Sequence, residues 1–194
     1  MSNAVIDTWF PTCIYRADDI VSEAQNQTVL ERSLVLSETV ESGGKGWKCN
    51  TYNSRGTYDL FADPDFGFIL GEVAGRVNEF AKAYNSAHLY QCSSAWFNVG
   101  REHSFQEYHV HPNSVFSAIY YASCPEGSGP VAFEKPELDM FPVKEIQSRN
   151  SLTYTSCTYT PKERMLLIFR SSLRHMVQVG SNKPPRVSLS FNFL

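Results

Sequence analysis

The apolar residues of this chain change their period once, and that change limits what it can fold into. From Asp63 to Tyr84 they recur at three- and four-residue steps, at Phe66, Ile69, Leu70, Val73, Val77, Phe80, Ala81 and Tyr84. That is one face of a helix, opened by a capping acid at Asp63 and a proline at the first helical position, Pro64. From about residue 92 the pattern switches to alternation, in short runs broken by Gly, Pro, Asn and Ser. The alternation predicts strands at Ser93 to Val99, Phe105 to His111, Val115 to Ala122, Pro130 to Phe133, Ser151 to Thr160, Met165 to Phe169, Arg174 to Val179 and Arg186 to Leu194. Eight short strands with turn-rich joints point to an antiparallel sandwich or jelly roll, mainly β, against which the helix lays its apolar face. Residues 18–38 carry a less regular helical spacing, after a short apolar stretch from Trp9 to Tyr15. The expectation is one domain over 1–194, with 1–90 as mostly helical support and 91–194 as the β core.

Composition narrows the function classes. Charges sum to −3, so no overall basic field favours nucleic acid or an anionic membrane. The longest apolar run, Met165 to Phe169, is far too short to span a bilayer. The N-terminus, Met1 to Asp7, lacks the basic start and apolar stretch of a signal peptide. The five cysteines (Cys13, Cys49, Cys92, Cys124 and Cys157) lie more than thirty residues apart, with no C-x-x-C pair. This predicts free thiols in a reducing, cytoplasmic compartment. The Gly-rich turn from Ser42 to Trp47 lacks the order of a phosphate-binding loop.

The residues able to do chemistry gather in the β half. In Tyr108-His109-Val110-His111-Pro112, positions i and i+2 of a strand share a face, about 6.5 Å apart. Two imidazoles there can converge on one ion, at a strand end set by Pro112. On an edge strand they can equally be two ordinary surface histidines. His175, at the start of a later strand, would complete three ligands on one side of a metal. On the last strand, Arg186, Ser188, Ser190 and Asn192 alternate with Val187, Leu189, Phe191 and Phe193. Their polar face is either solvated or lines a wet cavity, where Arg186 with Ser188 would hold a carboxylate well. His103 lies in a polar loop where it could contact a substrate, His88 reads as plain surface, and Tyr84, Tyr90 and Trp96 read as core.

Taken together, these pieces resemble the 2-oxoglutarate- and iron(II)-dependent oxygenases. His109, His175 at 66 positions on, and Arg186 at 11 more stand where that superfamily has its first histidine, distal histidine and last-strand arginine. The resemblance is sharpest to an oxygenase family of marine bacteria and their phages. It rests on Phe10-Pro11-Thr12-Cys13-Ile14, Trp96-Phe97-Asn98, His109 to Ser114, Ser117 to Tyr121, and Arg186 to Asn192. It implies a double-stranded β-helix in the cytoplasm of a cell or, for a phage copy, of the host. It also implies iron(II) held by His109, His111 and His175, with 2-oxoglutarate bound by Arg186, Ser188, Tyr121 and Asn98. Oxidation of a small-molecule or side-chain substrate would release succinate and carbon dioxide, with no catalytic group beyond the metal ligands.

There are two departures from the pattern. His111 replaces the usual metal-binding carboxylate, leaving Glu107 or Glu134 as the alternative third ligand, and Phe133-Glu134-Lys135-Pro136-Glu137 replaces an F-x-D-P-R segment. With three imidazoles as ligands, metal release is expected as the pH falls toward the free value near 6.5. Two rival readings are a three-histidine cupin-type thiol dioxygenase that needs no 2-oxoglutarate, and a non-enzymatic jelly-roll binding module. The fold class chooses neither a primary substrate nor an oligomeric state.

Overall fold

The computed structural model describes residues 4–44, 46–137 and 146–194; Met1 to Asn3 and Lys45 of the Gly-rich turn lie outside them. In chain order the elements are β1 (Ile14–Ala17), α1 (Glu23–Thr39), β2 (Tyr52–Asn53), a 3-10 turn (Leu60–Ala62), α2 (Pro64–Lys82), β3 (Cys92–Gly100), β4 (Gln106–His109) and β5 (Phe116–Ser123). β6 (Val131–Glu134), β7 (Ser156–Tyr159), β8 (Leu166–Arg170), β9 (His175–Val177) and β10 (Arg186–Phe193) follow. They form two antiparallel sheets, a six-stranded one in the order β1-β8-β5-β10-β3-β2 and a four-stranded one in the order β4-β9-β6-β7. This is the jelly roll expected from the alternation, in the double-stranded β-helix form that the resemblance implies.

The central strand β10 shows why two cores form. Its odd-numbered residues, Val187, Leu189, Phe191 and Phe193, join the cluster under the helices, with Phe66, Ile69, Val73, Val77 and Phe80 of α2 and Val29 and Leu36 of α1. Burying each such side chain contributes about 1.5–3 kcal/mol. The Asp63 side chain accepts from the Asp65 amide, and Pro64 opens α2, as the sequence predicts. A smaller apolar cluster lies between the sheets, built on Ile119, Tyr121, Val131, Phe133, Leu167 and Phe169. The even-numbered residues of β10 are buried too, although polar. They line the space between the sheets rather than facing solvent.

Several expectations need correction. The eight strands expected beyond about residue 92 are present as β3 to β10, though with shifted ends, but among the described residues two more strands precede them, so the first ninety residues are not only helical. β1 pairs with β8 and β2 with β3, so the N-terminal part supplies both edges of the six-stranded sheet. At four and two residues, these strands are too short to show a period. α1 begins at Glu23 behind a Ser22–Gln25 capping box, not at Asp18. Its inward face includes Asn26 and Ser33, which explains the irregular apolar spacing. Asn26 earns its place by donating to the Ala122 carbonyl at 3.0 Å and accepting from the Tyr120 hydroxyl at 2.6 Å. β7 is shorter than expected because Asn150 turns the chain back toward Thr153 and Tyr154.

Candidate metal centre

His109 and His175 are direct register partners across β4 and β9, so their side chains leave the four-stranded sheet together. The ring centroids are 4.3 Å apart. His111 reaches them differently from the expected shared strand face. β4 ends at His109, and the His111 amide donates to the Ser171 carbonyl at 2.9 Å. This draws the chain across toward the six-stranded sheet. The three rings end 4.3 to 5.2 Å apart, with one nitrogen of each within 4.8 Å of the others.

Each ring has one nitrogen already committed. His109 Nδ1 meets the Glu107 carbonyl at 2.7 Å, and His175 Nδ1 meets the Leu173 carbonyl at 2.9 Å. His111 Nδ1 meets Asn192 Oδ1. Carbonyl oxygens accept, so Nδ1 carries the proton and Nε2 is left with its lone pair, the form a metal requires. The Asn192 amide is itself oriented by its register neighbours in β3 and β5: Ser94 Oγ accepts from Nδ2 at 3.2 Å, and Ser117 Oγ donates to Oδ1 at 2.9 Å. Burial pushes the His111 imidazole down to about 4 and His175 down to about 3, and lowers His109 as well. The rings are therefore neutral at pH 7. Three neutral imidazoles suit a borderline divalent cation such as iron.

Glu107 and Glu134, the alternative third ligands, stand elsewhere. Glu107 accepts from the Lys48 amide at 2.9 Å, and Glu134 pairs with Arg174 at 2.9 Å. Among the described residues, the metal-competent cluster is made of the three histidines without a carboxylate.

A cavity of about 100 Å³ runs from these rings along the inner face of β10 and β3. Ser188 is in register with Asn98 on one side and Tyr121 on the other, so one row across the sheet carries three predicted residues, with Arg186 two residues along. The Arg186 guanidinium is buried above the Tyr121 ring at 5.2 Å, with a weak 3.4 Å contact to Ser188 Oγ. Its Nε and the Tyr121 hydroxyl have no hydrogen-bond partner. Among the described residues no carboxylate lies within ion-pair distance of Arg186. A buried, unpaired charge costs several kcal/mol, which an anionic ligand would offset. Burial holds the Tyr121 hydroxyl up at about 12, so it is a donor at any physiological pH. Asn98 lines the cavity, but its amide is tied to Asn53 at 2.8 Å and Ser190 at 3.2 Å and stiffens the wall.

Some cavity residues carried no recognisable sequence signal. Trp47, Asn53 and Arg55, from the segment around β2, form one wall. Trp96, expected as core, is buried yet faces the cavity, with its ring 5.7 Å from that of His111. His103 does not line the cavity; its amide donates to the Gly180 carbonyl and its side chain is 78% exposed. His88 is exposed, as expected.

Residues 94–192 match the family model described as "Putative 2OG-Fe(II) oxygenase", about half of the chain. No curated protein matches the sequence. Among solved structures, the fold is similar to a Pseudomonas putida prolyl-4-hydroxylase at TM-score 0.66 and 11% identity, covering 94% of this chain and 92% of that one. It is similar to the collagen prolyl hydroxylase of Paramecium Bursaria Chlorella virus-1, in complex with 2-oxoglutarate, at TM-score 0.60 and 11% identity over 93% and 94%. HygX of Streptomyces hygroscopicus, bound to nickel and 2-oxoglutarate, superposes at TM-score 0.64 and 11% identity over 94% and 83%. At these identities the likeness is one of fold.

Proposed function

This chain belongs to the putative 2OG-Fe(II) oxygenase family, and from that premise we propose that it hydroxylates a small-molecule or side-chain substrate. In this reading His109, His111 and His175 hold iron(II), and Arg186 anchors 2-oxoglutarate. The observation that carries the reading is the buried, unpaired Arg186 guanidinium in the same cavity as three converging, neutral imidazoles.

Bound there, iron(II) would supply oxygen activation, coupled to conversion of 2-oxoglutarate to succinate and carbon dioxide. The protein's share is positioning. Arg186 offers a planar fork to the far carboxylate of the cosubstrate, and Ser188 and Tyr121 add hydroxyl donors. The carbonyls of Glu107 and Leu173 and the amide of Asn192 keep the three rings in one tautomer and orientation. Phe105, Ile119 and Val177 provide apolar wall that limits water.

The test is an anaerobic titration with iron(II) and 2-oxoglutarate. A visible charge-transfer band should form, and admission of oxygen should yield slow succinate without any primary substrate. Arg186→Lys keeps the charge but loses the fork, so 2-oxoglutarate affinity should fall about tenfold or more while iron content stays near wild type. No band in iron-replete protein would favour a thiol dioxygenase that does without the oxo acid. Unchanged 2-oxoglutarate binding by Arg186→Ala would remove Arg186 from its role.

A further inference from the structure

The residues lining the cavity include two arginines, Arg186 and Arg55, and no aspartate or glutamate. This is a local exception in a chain of net charge −3. Four other arginines have acid partners within 4 Å: Arg32 with Asp63, Arg76 with Glu72, Arg164 with Asp19 and Arg174 with Glu134. Among the described residues Arg55 has none.

Its placement is nonetheless built. The Arg55 amide donates to Asn53 Oδ1 at 2.8 Å. Gly43 packs so closely on the Arg55 carbonyl that a Cβ there would stand 1.9 Å from the oxygen. The guanidinium lies over the Trp96 ring at 4.8 Å. Stacking occupies a guanidinium face and leaves its edge of N–H donors open. Trp96 abuts His111, and Trp47 meets His109 edge-on with centroids 5.3 Å apart. The free fork thus stands beside the histidine cluster, at an exposed position, whereas Arg186 is buried.

We propose that Arg55 is a second anion site at this cavity, and that the primary substrate is a small molecule whose carboxylate it receives. The assignment rests on the iron and 2-oxoglutarate reading, which gives Arg186 to the cosubstrate and leaves Arg55 for the substrate. A carboxylate matches the planar fork with two parallel donors. An apolar body beside it would contact the indoles of Trp47 and Trp96, next to the reacting centre.

The experiment uses the full chain loaded anaerobically with iron(II) and saturating 2-oxoglutarate, so that Arg186 is occupied. Paired probes are then titrated against tryptophan fluorescence: butyrate with butyramide, phenylacetate with phenylacetamide, and indole-3-acetate with its amide, with phenyl phosphate as a separate arm. At least one carboxylate should bind about tenfold more tightly than its amide. Arg55→Gln should reduce that preference to about twofold or less, and Arg55→Lys should retain part of it. The visible band is recorded first in each protein. Its absence marks failure of the iron and 2-oxoglutarate reading, whereas a normal band without carboxylate preference, or with a preference that survives Arg55→Gln, overturns this inference. Tighter binding of phenyl phosphate than of every carboxylate would overturn the carboxylate assignment in favour of a phosphate ester.

Discussion

His111 and His175 are held at about 4 and about 3 because the charged imidazolium is poorly solvated where they sit, and His109 is lowered for the same first reason. In the unfolded chain all three titrate near 6.5. Below that pH the unfolded state binds more protons than the folded one, so the metal-free protein keeps its full stability above pH 6.5 and loses it as the pH drops toward 4 and then 3. Urea unfolding between pH 8 and pH 4 should show a loss of several kcal/mol, with a shallower slope in His175→Gln. A slope unchanged by that substitution would mean that His175 is not among the groups responsible. Burial also revises the expectation that metal leaves near pH 6.5: the neutral rings persist further into acid, so the midpoint of iron loss should fall below that value. At this scale the three histidines, Arg186, Ser188 and Tyr121 were legible from alternation on strands and from the resemblance. Arg55 and Trp47 were not, because they come from irregular backbone whose direction no period encodes.

The segment between α1 and the 3-10 turn is where local sequence said least and the site needs most. Its Gly-rich turn lacks the order of a phosphate-binding loop. The reason for glycine at position 43 is close approach to backbone, since the Gly43 amide also donates to the Asn53 carbonyl at 2.6 Å. Gly43→Ala must push the turn off β2, moving Asn53 and Arg55 while leaving both helices untouched. The expected result is a loss of about 1–3 kcal/mol in unfolding free energy together with weaker carboxylate discrimination, and little change in iron content. Equal stability and discrimination in the variant would show that the turn can yield. By contrast β3, β5, β8 and β10 were legible almost to the residue: β10 alternates apolar with polar side chains between two chemically different surfaces, and β8 is a continuous apolar run buried on both faces. β1 and β2 are held by pairing with long neighbours rather than by any pattern of their own.

The family model spans 94–192, yet the whole molecule does not divide there. Without residues 1–93, the six-stranded sheet would lose both edge strands and the helices over Phe97, Val99, Leu189, Phe191 and Phe193. Expressed alone, 94–192 should be unfolded or aggregated, as read by circular dichroism and sedimentation, and a cooperatively folded fragment would contradict this. The helices back one sheet only, so stiffness is shared unequally between the two halves of the sandwich. Arg186, Ser188 and Asn192 belong to the thickly supported half, whereas His109 and His175 belong to the thin one. Local opening draws on the regions with the least packing. In the proposed assignment the carboxylate anchor would therefore rest on the thick layer alone, whereas the metal ligands would be shared, since Asn192 of β10 orients His111 while His109 and His175 stand on the thin one.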